Sequence, residues 1–242
     1  MEEWFAEVQR HFILSFVNDN RWLFLANGLI VTLRITFFAL LIGIVIGIVV
    51  SIVRSTYEKN LDKMRPGFGR FILIFFNVIC KIYLTVIRGT PVVVQLMIFY
   101  FIILTTIRSG ELVGIIAFGI NAGAYVAEIF RSGIMSVDNG QFEAGRSLGF
   151  NYIQTMRYII IPQAFKNVLP TLANEFIILL KETAVVGFVA TQDLTRAGFI
   201  ISGVTFSWIM PLLAVALTYL ILVLFFTMLV GVLERRLRRN ER

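Results

Sequence analysis

The polar side chains able to do chemistry here are few, and most of them lie inside apolar runs at helical spacing. Asn121, Tyr125, Glu128 and Ser132 follow one another at four, three and four residues, so a helix places them on one stripe. A carboxylate on such a stripe, facing a wet cavity, suits an ammonium or a side-chain cation. The structural alternative pairs Glu128 with Arg131 one turn on, or with Lys181 across a helix interface. Asn174 and Lys181 share a second face, and Glu175 and Glu182 a third, about 100° round from it. Lys181 beside Glu182 in an apolar run needs partners, because unpaired charge is expensive in hydrocarbon. Thr183, Gln192 and Asp193 come next, at or beyond the end of that run, where they could shape an entry or be solvated. Solvation is the reading expected for Asp193. Gln95 is a lone amide on an otherwise apolar helix; it can donate and accept, so a zwitterion or an interhelical bond would satisfy it equally.

Bond-breaking chemistry by the chain alone is not indicated. There is no P-loop, no His-Glu-x-x-His and no Gly-x-Ser-x-Gly, and His11 is the single histidine. One cysteine, Cys80, excludes an internal disulfide and a cysteine-based metal cluster, and reads as a small buried apolar residue. No catalytic residue, metal site or cofactor of its own is therefore expected.

The elements that hold these groups are set by hydropathy. At 242 residues the chain is 58% hydrophobic, with a mean hydropathy of +0.84, well above the roughly 45–50% apolar share of soluble domains. An all-α integral membrane protein follows, small enough for one bundle. The net charge of +7 does not point to nucleic acid, because the basic residues lie between apolar runs rather than along one face. No cleavable signal peptide is expected, since Met1 to Arg10 carries Glu2, Glu3 and Glu7.

Residues 1–21, with Trp4, Phe5, Phe12 and Phe16 loosely on one face, read as an amphipathic segment at the outer surface. The transmembrane region covers 22–234. Its first span lies at about 35–53, with Arg34 near the outer interface and a small-residue stripe of Ala39, Gly43 and Gly47 for close helix packing. Arg54 to Arg70 is rich in Lys and Arg and belongs inside, as does the loop holding Arg131, Arg146, Arg157 and Lys166. Two inside loops need an even number of crossings between them, yet three apolar runs lie there. Arg70, Asn77, Lys81 and Arg88 form one narrow polar stripe, so 70–88 is read as an interfacial lead-in. It feeds a crossing over 90–107, and the next span is 112–132. Further spans at 171–190 and 208–233 flank an outer or re-entrant connection, and Trp208 and Pro211 open the last. A basic tail at 235–242 ends inside. Five transmembrane helices result, with the N-terminus outside and the C-terminus cytoplasmic.

The cytoplasmic loop at 136–162 is the one long polar stretch in the middle of the chain. Asp138 or Asn139 can cap a short helix there, Glu143 falls in its first turn, and Gly149 suits a left-handed end. Glu143-Ala144-Gly145, then Gly149, Ile159, Ile161 and Pro162 resemble the EAA signature of bacterial ABC importer permeases. Gly145 stands where a second Ala is usual and Ile161 where Leu is usual. Arg88-Gly89-Thr90-Pro91 with Gln95-Leu96, the run from Ala124 to Ile134, Gly140-Gln141, Pro162-Gln163-Ala164 and Leu179 to Thr183 are similar to the polar amino-acid subfamily. Ala184 stands where Ser is usual.

That resemblance covers nearly all of 27–194 and implies a type I ABC importer permease. Gln141, Glu143, Ala144, Gly145 and Gly149 would form the coupling segment that docks on the ATPase. Gln95, Asn121, Tyr125, Glu128, Lys181, Glu182 and Thr183 would line a pathway for a polar amino acid, with an acidic stripe hinting at a basic one. The implied partners are cytoplasmic ATP-binding cassette subunits that use ATP and Mg, a second permease copy or close paralogue, an extracytoplasmic amino-acid-binding protein and membrane lipid. The rival readings are a stand-alone secondary transporter or channel, with Glu128 or Glu182 as an ion relay, and a non-transporting membrane scaffold.

Overall fold

A computed structural model describes residues 1–61 and 64–239, and these fold entirely as helix and connecting turns, with no strand among them. Asp62 and Lys63 of the basic loop, and the last three residues of the tail, lie outside the described residues. The α-helices are α1 (Glu2–Phe12), α2 (Trp22–Asn60), α3 (Phe68–Gly89), α4 (Val92–Ile98), α5 (Gly110–Met135), α6 (Asn139–Ser147), α7 (Tyr152–Thr155), α8 (Ile161–Glu182), α9 (Leu194–Thr205) and α10 (Ile209–Arg239). A π-helical turn, Phe99–Ile103, continues α4, a second, Met156–Ile160, joins α7 to α8, and a 3-10 turn, Thr183–Val189, continues α8.

Among the described residues, four helices are long and apolar enough to cross a bilayer: Trp22–Lys59, Phe68–Gly89, Gly110–Met135 and Ile209–Leu237. The segment expected as an interfacial lead-in is therefore a 22-residue helix of spanning length. The run after Pro91 is the shorter one, Val92–Ile103. Proline has no N–H to give and restricts the residue before it, so the helical ladder breaks at Thr90-Pro91, where Thr90 is extended. The basic tail begins as a continuation of α10.

The chain packs as two compact units. One comprises Met1–Ala39, Val92–Phe118 and Ile177–Met228. Its core includes Ile35, Leu96, Phe118, Leu180 and Ile201, all with essentially no exposure. Arg34 on α2 pairs with Glu111 on α5 at 3.1 Å. Asp193, expected in solvent, is completely buried. Its carboxylate accepts from the backbone N–H groups of Thr195 and Arg196, both at 3.0 Å, and so caps α9. Burial holds this carboxyl above the usual carboxylate range, and the N–H bonds from Arg196 and Thr195 offset only part of that rise. The backbone N–H of Leu194 donates to Thr32 Oγ1 at 3.2 Å, and a Cβ on Gly28 would lie 2.6 Å from the Asp193 carbonyl oxygen. A short polar side chain at a helix start is thus sealed by close backbone packing rather than left in water.

The other unit comprises Leu40–Pro91, Gly119–Phe176 and Leu229–Arg242. Here Gly43 and Gly47 let α2 meet α5 directly. A Cβ on Gly43 would lie 3.0 Å from Ala122 Cβ, and one on Gly47 2.5 Å from a Val126 methyl. Val50, Cys80 and Ala127 form a buried cluster of α2, α3 and α5. The Tyr83 hydroxyl donates to the Ile120 carbonyl at 2.6 Å, tying α3 to α5.

Candidate functional site

The polar loop folds as α6 and α7 on top of a hydrophobic seat. Asp138 supplies the cap, its carboxylate accepting from Gly140 N–H at 2.6 Å. Gly149 takes φ +79°, which an L side chain resists, and so ends the helix. Leu148 and Gly149 N–H donate back to the carbonyls of Ala144 and Arg146. Asn151 and Gln154 form a reciprocal capping box that starts α7. Below α6, the buried cluster Ile134, Val137, Ile160 and Ala164 takes Phe142, Met156 and Ile159 against it. Gly145 is buried against Thr155, while Gln141, Glu143 and Ala144 are exposed. The result is a short capped helix with one face anchored and Glu143 and Arg146 exposed on the other. Gln163 Nε2 donates to Gln141 Oε1 at 3.2 Å, holding α6 to α8.

A cavity of about 440 Å³ lies between α3 and α5, walled by Leu84, Thr85, Arg88, Gly89 and Tyr125. The Arg88 guanidinium stands 5.6 Å from the centre of the Tyr125 ring, a cation–π distance. Of the expected pathway residues, Tyr125 alone lines this cavity. Asn121 is buried one turn before it on α5. Glu128 is held by Arg131, with Arg131 Nε donating to Oε2 at 3.1 Å and Nη2 donating to Oε1. Ser132 donates to the Ile129 carbonyl. Gln95, Lys181, Glu182 and Thr183 belong to the other unit. There Gln95 is buried, Lys181 exposed and Glu182 half-buried. Thr183, expected either to shape an entry or to be solvated, is fully buried and donates to the Leu180 carbonyl at 2.8 Å.

Sequence reasoning missed Arg88 as a site residue. The sequence carries its signal, because Arg88 ends the polar stripe of Arg70, Asn77 and Lys81, but a stripe of this kind on its own reads as an interfacial face. With Glu128 neutralised by Arg131, the cavity carries a net cation and an aromatic face, chemistry for a carboxylate on a small polar molecule.

Residues 68–239 match the family described as the binding-protein-dependent transport system inner membrane component. The chain is 36% identical over 227 residues to the arginine transport system permease protein ArtQ of Bacillus subtilis, covering 90% of this chain and 94% of that one. It is 36% identical over 166 residues to the glutamine transport system permease protein GlnP of Escherichia coli, covering 67% and 76%. A solved amino acid ABC transporter structure with histidines matches with a TM-score of 0.76 and 40% identity, over 88% of this chain and 94% of that one. Inward-facing structures of the MetNI methionine ABC transporter share the fold, with a TM-score of 0.75 at 20% identity, over 91% and 99%. The apolar spanning helices, the capped polar helix and these matches together place the chain in the family of binding-protein-dependent transport system inner membrane components.

Proposed function

We propose that the chain is the membrane-spanning subunit of an ATP-driven importer of polar amino acids. It works with cytoplasmic ATP-binding cassette subunits that hydrolyse MgATP, a second permease copy or close paralogue, and an extracytoplasmic amino-acid-binding protein. The N-terminus lies outside and the C-terminus inside, with α1 on the outer surface, its Trp4, Phe5 and Phe12 exposed for the lipid interface. Five crossings follow: α2, the run from Pro91 through α4 and its π-helical turn, α5, α8 with its 3-10 extension, and α10. The α3 helix starts at the cytoplasmic face and feeds a crossing from near Pro91.

The carrying observation is α6, capped at both ends, seated on an apolar cluster, with Glu143 exposed. Closure of the ATPase subunits moves this helix, and the spans rock so that a site between them changes sides. Polar amino acids carried by relatives named for glutamine and arginine share the carboxylate that Arg88 would receive. Because Glu128 is committed to Arg131, the geometry supports recognition of that shared carboxylate rather than a basic side chain. Glu143→Arg, in a chain that inserts normally, should abolish co-purification with the ATPase and ATP-driven uptake. Unchanged ATPase binding and uptake would refute the coupling assignment.

A further inference from the structure

We propose that the last turn of α2 is a second coupling element, with Lys59 the positioning residue through which α6 acts on the helices that wall the cavity. The proposal rests on the coupling reading above and extends it to residues outside the family's matched region of 68–239.

Lys59 Nζ stands 3.6 Å from the centre of the Phe142 ring, well inside the range of a cation–π contact. Phe142 is the residue of α6 turned toward the cluster of Ile134, Val137, Ile160 and Ala164. Displacement of α6 therefore pulls on a side chain of α2, a helix remote from it in sequence. The neighbouring Glu58 divides its two oxygens: Oε2 accepts from Arg131 Nη1 at 3.2 Å, and Oε1 accepts from Arg54 Nη2 at 2.9 Å. Arg54 in turn donates from Nη1 to Asn77 Oδ1 on α3 at 3.0 Å. Arg131 also holds Glu128, which sits one turn from the cavity wall at Tyr125.

One adjacent pair, Glu58 and Lys59, thus joins α6 to both cavity-bearing helices by charged contacts. Each rung tethers one helix to the next, and separating it costs a charge-assisted hydrogen bond. The covalent links of α6 run to α5 and α7, so the Lys59 contact gives it a non-covalent link to α2. Lys59 consequently sets how faithfully each ATP cycle becomes one change of access. It is not a ligand for substrate.

The test uses the complete complex of permease, ATPase and binding protein in proteoliposomes, and reads amino acid taken up per ATP hydrolysed. Lys59→Met should lower that ratio roughly fivefold, the scale of a partly desolvated cation–ring contact. Lys59→Arg should keep it, since a guanidinium also sits on a ring. Phe142→Leu should lower the ratio equally, and the double variant should be no worse than either single one. A wild-type ratio in Lys59→Met, or a double-variant loss equal to the product of the single losses, overturns the proposal and leaves the function assignment standing. If Lys59→Met does not assemble, Phe142→Leu decides alone, and a wild-type ratio there overturns it. A wild-type complex that moves no amino acid at the expense of ATP removes the function assignment and this proposal together.

Discussion

Gly145→Ala tests how tightly α6 is seated, because two opposed effects of similar size meet at one atom. A Cβ at this position would lie 2.7 Å from Thr155 Cγ2, 2.9 Å from its Oγ1 and 3.1 Å from Ile159 Cδ1. Thr155 is buried and β-branched, and its hydroxyl donates to the Asn151 carbonyl at 3.0 Å, so it cannot turn aside freely. Breaking that bond costs about 1 kcal/mol, and overpacking without rotation costs about 1–3 kcal/mol. Against this, alanine gains about 0.5–1 kcal/mol over glycine inside a helix. The net expectation is destabilisation by about 1 kcal/mol. In a Thr155→Ala background the two nearest atoms are gone and only Ile159 Cδ1, the far end of a flexible side chain, remains at 3.1 Å, so the same substitution should stabilise by up to about 0.5–1 kcal/mol. Denaturant unfolding of the four detergent-purified proteins measures the cycle. An effect of the same sign and size in both backgrounds would refute the steric account. The functional readout is ATPase co-purification, which should weaken in Gly145→Ala and recover in the double variant.

Substitutions at two further positions probe the other sites. Arg88→Gln should weaken amino-acid binding to the permease–ATPase complex roughly 10- to 100-fold, the worth of a charge-assisted hydrogen bond. The corresponding amino-acid amide should bind both proteins alike. Calorimetry with both ligands checks this, and an equal loss for the amide would assign Arg88 to the fold. Asp193→Ala removes the cap of α9 from a sealed position, so unfolding should come about 1–2 kcal/mol earlier, with Asp193→Asn closer to wild type. An alanine variant as stable as the parent would show that the cap contributes nothing.

What was legible in the sequence was local. Asp138, Glu143 and Gly149 announce a capped helix because caps and left-handed ends depend on residues within a few positions of one another. The four-three-four stripe from Asn121 to Ser132 rests on one helix, and so does the Glu128–Arg131 pair. What escaped depended on helices distant in the chain. Arg88 meets Tyr125 only because α3 packs on α5, and Lys59 meets Phe142 only because α2 ends beside α6. Asp193 escaped for a different reason. A charge next to an apolar run reads as solvated, yet a helix start can take a carboxylate into complete burial when two N–H groups point at it. On α3 two local signals meet: its polar stripe is that of an interfacial helix, and its length and apolar content are also those of a spanning one.

The glycines of α2 carry a mechanical implication. Gly43 and Gly47 are four residues apart, and so are Ala122 and Val126 that seat against them. Facing pairs at a pitch of one turn seat Ala122 and Val126 against the bare glycine backbone, where close packing leaves little room for lengthwise slip. Over this stretch the two helices are therefore keyed like a shaft and collar. Whatever axial thrust one receives, its neighbour shares, and loosening the joint would require shaving Val126 rather than enlarging either glycine.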